Sequence, residues 1–221
     1  MSHDITERPV SRIAVLASGG GSNLQSLLDH LAGPARDAAA VVWVGSNRAE
    51  AGALSRAQSA GIATGVVHDP TDGEALVAQL AAVNADMVVL AGYLKLVPLA
   101  VVRAFHGRML NVHPSLLPAF GGPGMYGHRV HEAVLAHGAR VSGVTVHFVD
   151  EAFDRGAIAA QWPVRVFADD TADAIAARVL RAEHQLLPRA VEALARGQLW
   201  LAADGRAAGD VALPDLPSIT V

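Results

Sequence analysis

The sequence has no cysteine. That single absence removes disulfide scaffolds, zinc–thiolate sites, iron–sulfur clusters and thiol nucleophiles together. Charge is also sparse. Charged residues make up 17% of the 221 positions, and the formal net charge is −4. This argues against a protein whose main work is gripping nucleic-acid phosphates, while leaving room for a small anion bound locally. No apolar run approaches the ~20 residues needed to cross a bilayer, and the opening MSHDITERPV lacks the apolar stretch of a secretory signal. The expectation is a cytoplasmic chain without a membrane or nucleic-acid partner. What is plentiful is apolar side chain: hydrophobic residues reach 52%, enough for a sizeable core in a chain of single-domain length.

Val10 to Ala17 becomes continuously apolar and runs straight into SGGGSN. Leu24, Leu27, Leu28 and Leu31 then recur at helical spacing. That is strand, glycine turn, helix. A second apolar run, Ala40 to Val44, precedes an alanine-rich helix from about Ala51 to Ala60, closed by Gly61. Thr64 to Val67 reads as a third strand, and Thr71 with Glu74 has capping-box spacing for a helix through about Val83. Met87 to Ala91 and Met109 to Val112 lack a polar face. Strands apolar on both faces, alternating with helices, predict a single-domain, three-layer α/β fold: a twisted, mostly parallel sheet with helices on both sides.

The later chain changes style. Residues Phe120 to Gly127 hold four glycines and a proline and read as a long loop, followed by a helix from about His128 to His137. Val141 to Val149 and Ile158 to Val166 read as a strand pair. A long helix from Thr171 to Arg196 contains Pro188, which is expected to kink or divide it. Leu199 to Ala202 and the Asp204-Gly205 turn suggest a terminal hairpin. Residues 1–9 read as a flexible lead, and 205–221 as a carboxy-terminal extension of the one domain.

In an open α/β sheet, ligands bind beyond the carboxyl ends of the strands. The turn Gly19-Gly20-Gly21-Ser22-Asn23 stands at such a place, and backbone N–H groups backed by a helix dipole suit a phosphate or carboxylate. It is not a Walker A loop, because no Lys follows the last glycine. The dinucleotide fingerprint fails at Leu24, where a third glycine belongs. A phosphate on one ligand fits better than a whole dinucleotide.

Asn111 and His113 sit two apart at a strand end, so their side chains share one face, and Pro114 fixes the exit of the chain. A carboxamide donor and an imidazole aimed at one point can stabilise an oxyanion and move a proton. Asp150, Glu151 and Asp154 follow the strand ending at Val149. A carboxylate beside His113 would favour the imidazolium, and spacing alone does not choose among the three. His128 and His131 match no zinc signature and read as helix surface, and His147 reads as a structural, hydrogen-bonded strand residue. Glu183 ordinarily belongs to a solvated helix face.

The blocks ASGGGSNLQSL, GSNRAEAGALSRAQSAGIAT, LAGYLKLV, LNVHPSLLPAF, GVTVHFVDEAFDRG and RVLRAEH span Ile13 to His184. In this order they resemble the folate-dependent glycinamide ribonucleotide transformylases. The resemblance implies formyl transfer from 10-formyltetrahydrofolate to the primary amine of 5′-phosphoribosylglycinamide, with no metal and no other partner, in a monomer or a homodimer. It implies that Gly21, Ser22 and Asn23 receive the phosphate and that Glu183 binds the ribose hydroxyls. Leu94, Lys95, Leu96 and Val97 would line a pterin pocket facing Asp150, Glu151, Ala152, Phe153 and Asp154. Asn111, His113 and Asp154 would carry the chemistry, so the resemblance selects Asp154 from its acidic neighbours. Three departures stand out: Arg155 where many relatives have glycine, Lys95 for a frequent arginine, and a long 120–127 loop.

Rival expectations are another 10-formyltetrahydrofolate enzyme, either a hydrolase or one acting on methionyl-tRNA, and an NADP-binding oxidoreductase using the glycine turn and Arg48. The first two usually carry extra domains, for which this sequence leaves no room. The third would bind NADPH and ignore folate.

Overall fold

The computed structural model describes residues 9–213. Residues 1–8 of the expected flexible lead and 214–221 of the expected carboxy-terminal extension lie outside those residues. Chain order begins with β1 (Ser11–Leu16), α1 (Ser22–Ala32), β2 (Ala39–Ser46), α2 (Gly52–Ser59), β3 (Ala63–Val66), α3 (Gly73–Ala82) and β4 (Met87–Leu90). It continues with α4 (Leu99–Ala104), β5 (Met109–His113), α5 (His128–Ala136), β6 (Val141–Phe148), β7 (Ile158–Arg165) and α6 (Ala172–Ala195). A hairpin of β8 (Leu199–Leu201) and β9 (Ala207–Gly209) follows, its turn made by Asp204 and a left-handed Gly205 as the DG pair predicts.

One seven-stranded sheet runs β3-β2-β1-β4-β5-β6-β7. The first five strands are parallel, whereas β6 and β7 pair antiparallel. The expected three-layer α/β architecture is therefore what the chain adopts. Strand alternation divides the core. Ile13 and Val15 of β1 pack with Leu24, Leu27, Ile175 and Leu186 on one face. Ala14 and Leu16 pack with Leu76, Leu80 and Val101 on the other. Burying each such aliphatic side chain contributes roughly 1.5–3 kcal/mol, and that is why these strands carry no polar face.

Three local expectations are corrected. Thr71 does not cap α3, because its hydroxyl donates to Asp69 Oδ1 at 2.6 Å. Asp72 caps the helix instead, accepting from Ala75 N at 2.9 Å. The six-residue α4 was not foreseen; Pro98 precedes it, with a fixed φ suited to a helix start. Pro188 neither divides nor ends α6, which runs unbroken for 24 residues. Pro188 is itself buried, and packing of this helix against α1, α5, β6 and β7 outweighs the loss of one backbone donor.

Candidate active site

The chain builds β1, β2 and β3 outward on one side, then returns to lay β4 and β5 on the other side of β1. The turns after β1 and β4 therefore diverge across a crevice, the place where such sheets bind ligands. Ser18 ties the crest together. Its hydroxyl donates to Asn47 Oδ1 at 2.6 Å after β2 and accepts from Leu94 N at 2.9 Å after β4. Beyond it lies a cavity of about 470 Å³, within the usual size of small-molecule sites.

The glycine turn forms one shoulder. Gly21 sits at φ 75° with its carbonyl accepting from Gln25 N, so α1 starts at Ser22 without a side-chain cap. A Cβ at Gly21 would lie 2.7 Å from Ala53 Cα, so only glycine lets α1 and α2 approach this closely. Arg56 of α2 docks on the turn, its Nε donating to Gly20 O at 2.7 Å. Asn23 and Glu183 line the cavity, whereas Gly21 and Ser22 stand at the helix start without lining it. Asn23 Nδ2 donates to Glu183 Oε2 at 2.6 Å, and both side chains are buried. Burial pushes the Glu183 carboxyl above its usual range, against the pull of the Asn23 amide. Glu183, which a helix position alone would leave on a solvated face but which the resemblance puts in the substrate site, is turned into the cavity because α6 packs across α1 and α5.

The second shoulder is the end of β5. Asn111 and His113 project from the same face, as spacing predicts, and β6 runs antiparallel beside them with His147 opposite Asn111 and Thr145 opposite His113. His147 Nδ1–H donates to Phe148 O at 2.8 Å, which leaves Nε2 to accept from Asn111 Nδ2 at 3.0 Å. One Asn111 amide hydrogen is thereby fixed, and the geometry of the group leaves the other for a ligand. His147, read from sequence as purely structural, belongs to the polar cluster.

Asp154 completes it. Its carboxylate lies 3.4 Å from His113 Nδ1 and 3.6 Å from His147 Nε2, and accepts from Gly122 N at 2.9 Å. On its far side His113 Nε2 donates to Phe120 O at 2.8 Å. Both ring nitrogens of His113 thus face acceptors. Burial pushes this imidazole below its ordinary value, opposed by the Asp154 charge and the Phe120 carbonyl. Asp154 also titrates low: burial raises it, but the His113 ring and the Gly122 N–H outweigh that. The carboxylate is therefore ionised at neutral pH, beside a ring with acceptors in place for a second proton. Asp154 itself holds φ 55°, a conformation few residues adopt. Arg155 next to it is exposed, and the close approach in this turn belongs to Gly156, whose added Cβ would collide with Phe148 O.

The third wall pairs Leu94, Lys95, Leu96 and Val97 with Asp150, Ala152, Phe153 and Asp154. Glu151 departs from expectation. Asp150 Oδ1 accepts from Ala152 N at 3.0 Å, closing an Asx turn. Glu151 instead lines a separate small hollow with Val102, Arg103 and His106. His131, expected on the helix surface, is 4% exposed and lines the main cavity. His128 is the exposed one, bonded to Glu132 and Asp173. Among the described residues, no group of three or more His, Asp or Glu side chains is arranged to hold a metal ion, and no helix is long and apolar enough to cross a membrane.

A switch-point cavity with an anion-suited turn at one shoulder and an Asn–His–Asp cluster at the other defines an α/β group-transfer enzyme acting on small molecules. The formyl transferase family profile matches residues 11–191, and the chain belongs to that family. It is 45% identical over 200 residues to the chloroplastic phosphoribosylglycinamide formyltransferase of Vigna unguiculata, covering 88% of this chain and 64% of that one. The chain thus spans just under two thirds of that relative's length. It is 39% identical over 194 residues to the phosphoribosylglycinamide formyltransferase of Escherichia coli (strain K12), covering 85% of this chain and 88% of that one. The crystal structure of phosphoribosylglycinamide formyltransferase from Anaplasma phagocytophilum superposes with a TM-score of 0.83 at 36% identity, covering 91% and 96% of the two chains.

Proposed function

We propose that the protein transfers the formyl group of 10-formyltetrahydrofolate to the primary amine of 5′-phosphoribosylglycinamide, yielding the formylated amide and tetrahydrofolate. The observation that carries this reading is the cluster of Asn111, His113, His147 and Asp154 at the junction of two differently walled halves of one cavity. The half with Leu94, Leu96, Val97 and Phe153 is apolar enough for a flat heterocycle, and the half with Asn23 and Glu183 offers polar acceptors for a sugar. Backbone N–H groups at Gly21, Ser22 and Asn23 suit the phosphate, with the Arg56 guanidinium beside them.

In this reaction the amine attacks the formyl carbon, and the carbonyl oxygen takes up negative charge. The remaining Asn111 amide hydrogen donates to it. A preorganised donor of this kind typically contributes ~3–4 kcal/mol. The amine then loses a proton, N10 gains one, and the C–N10 bond breaks as the carbonyl re-forms. His113 as imidazolium is the second donor, and Asp154 stabilises that charge while relaying the proton, through water, to N10. The Nε2–H of His113 is engaged by Phe120 O at 2.8 Å, so the substrate oxygen must take the place of that carbonyl. Loading the site therefore loosens the 120–122 segment.

The deciding assay is formyl transfer by the purified chain with the folate donor and phosphoribosylglycinamide. Formylated product with tetrahydrofolate release supports the reading. Donor hydrolysis independent of the acceptor would replace it with a hydrolase, and NADPH binding without folate binding would replace it with an oxidoreductase.

A further inference from the structure

Three side chains stand in one row across the antiparallel part of the sheet. His113 of β5 lies opposite Thr145 of β6, and Thr145 lies opposite Gln161 of β7. Residues directly opposite in such pairs point to the same face. The row therefore begins at the reacting imidazole and ends two strands away.

The chain that leaves His113 folds back over this row and is fastened to each member of it. Thr145 Oγ1 donates to Ser115 O at 2.7 Å and accepts from Leu117 N at 3.0 Å. Gln161 Nε2 donates to Leu117 O at 2.9 Å and to Thr145 Oγ1 at 3.0 Å. A carboxamide nitrogen carries two hydrogens, so Gln161 uses both inside this network. Ser115 Oγ closes the turn by donating to Ala119 O at 2.6 Å. The next carbonyl, Phe120 O, accepts from His113 Nε2 at 2.8 Å. In the proposed function that carbonyl stands where the formyl oxygen arrives. The turn thus aims Nε2 at the position of the reacting oxygen before the donor binds.

We infer that Gln161 is a positioning residue for the formyl-transfer reaction: through Leu117 and Thr145 it holds the 115–120 turn, so that the Phe120 carbonyl fixes the His113 ring for the incoming formyl oxygen. The inference rests on the proposed function. Gln161 does not line the cavity and acts only through these neighbours. The other groups facing the ring are Asp154, His147 of β6 and His131 of α5. None of them is a hydrogen-bond partner of Gln161, so a substitution there reaches the ring through the turn.

The test uses the full chain and two substitutions at this half-buried position of an edge strand. Gln161→Met keeps the length and removes both donors. Gln161→Glu keeps the shape as well and, ionised at neutral pH, turns them into acceptors. The Phe120 carbonyl favours the protonated ring, and a loosened turn favours it less. In 15N-histidine spectra of the ligand-free protein, each variant displaces the His113 ring resonances and lowers the pH of their titration by about half a unit or more. The alkaline limb of kcat/KM for the folate donor, measured at saturating acceptor, reports the enzyme before the formyl oxygen arrives. It follows the same shift, and above it kcat/KM falls about three-fold or more. The limb of kcat, set by the loaded enzyme in which that oxygen has replaced the carbonyl, stays in place, and the acceptor KM stays within two-fold.

Variants that melt earlier but leave the His113 resonances and the kcat/KM limb unmoved overturn the inference, because Gln161 then only braces the fold. If the Met variant does not fold, the isosteric Glu variant decides alone. Wild-type turnover reads the underlying function separately. A wild type that forms no formylated product overturns that function and this inference with it, whereas an active wild type whose Gln161 variants keep its pH profile and His113 resonances overturns this inference only.

Discussion

Replacing Asp154 by Asn isolates its charge from its shape. Asp154 holds φ 55°, a left-handed conformation that asparagine tolerates well, and the carboxamide oxygen can still accept from Gly122 N. The fold should survive. What disappears is a negative charge 3.4 Å from His113 Nδ1, at a carboxylate whose side chain is 10% exposed. Coulomb's law with an effective dielectric near 20 gives an upper bound of about 5 kcal/mol at that separation. Opposite charges this close usually shift a pKa by about 1–3 units, or roughly 1.4–4 kcal/mol. Burial already pushes His113 below its ordinary value, so without Asp154 it should fall further. If the imidazolium is the active donor, kcat/KM is lost as pH rises through the His113 pKa. Asp154→Asn should then move that limb to lower pH by about 1–3 units and slow turnover at neutral pH about ten- to thousand-fold. Formyl-transfer rates from pH 5 to 9, with thermal melts as control, measure both. A variant within three-fold of wild type across the range, with its limb unmoved, would refute the assignment of the imidazolium and of Asp154 as its support.

Three further outcomes are expected. His131 titrates near 4 in the fold against the usual 6.5, so the unfolded chain binds the extra proton first as pH falls; stability is full above about 6.5 and declines by about 3 kcal/mol toward pH 4. Denaturant melts at the two pH values check this, and the same loss in His131→Gln would show another group to be responsible. Glu183→Gln should raise the acceptor KM about ten-fold or more with little change in kcat, since a neutral amide replaces the hydroxyl acceptor while Asn23 keeps a partner; equal effects on both substrates would count against the ribose role. Gly21→Ala should cost about 2–4 kcal/mol in a thermal melt, combining a left-handed backbone with overpacking against Ala53, and a melt unchanged by the substitution would contradict the close approach of α1 and α2.

The parallel part of the fold was readable because its strands are buried on both faces, and continuous apolar runs ending in glycine turns have few other interpretations. Asn111 and His113 were readable for the same geometric reason, a two-residue spacing at a strand end. Asp154 was not: three acids crowd one turn, and only resemblance to a family singled it out. His147 stayed hidden because its importance lies in register. Nothing local announces that β6 returns antiparallel and sets it opposite Asn111; the one available hint was the shared face of Thr145 and His147. Helix position alone misplaced both His131 and Glu183, although the resemblance had put Glu183 at the ribose. Helix periodicity gives a face but not which neighbour covers it, and the packing of α5 against α6 turned both inward. At Thr71 two local motifs competed, and the Asp69 side chain captured the hydroxyl.

The polar cluster of Asn111, His113, His147 and Asp154 comes from one uninterrupted stretch of chain, whereas Asn23 and Glu183 are contributed by α1 and α6 from either end. Reaction and the polar acceptors proposed for the sugar are thus written on separate passages of the sequence. A lineage could change the sugar it grips by altering the flanking helices while inheriting the group-transfer machinery intact, and chimeras that splice residues 109–156 between relatives should carry the chemistry without that sugar preference.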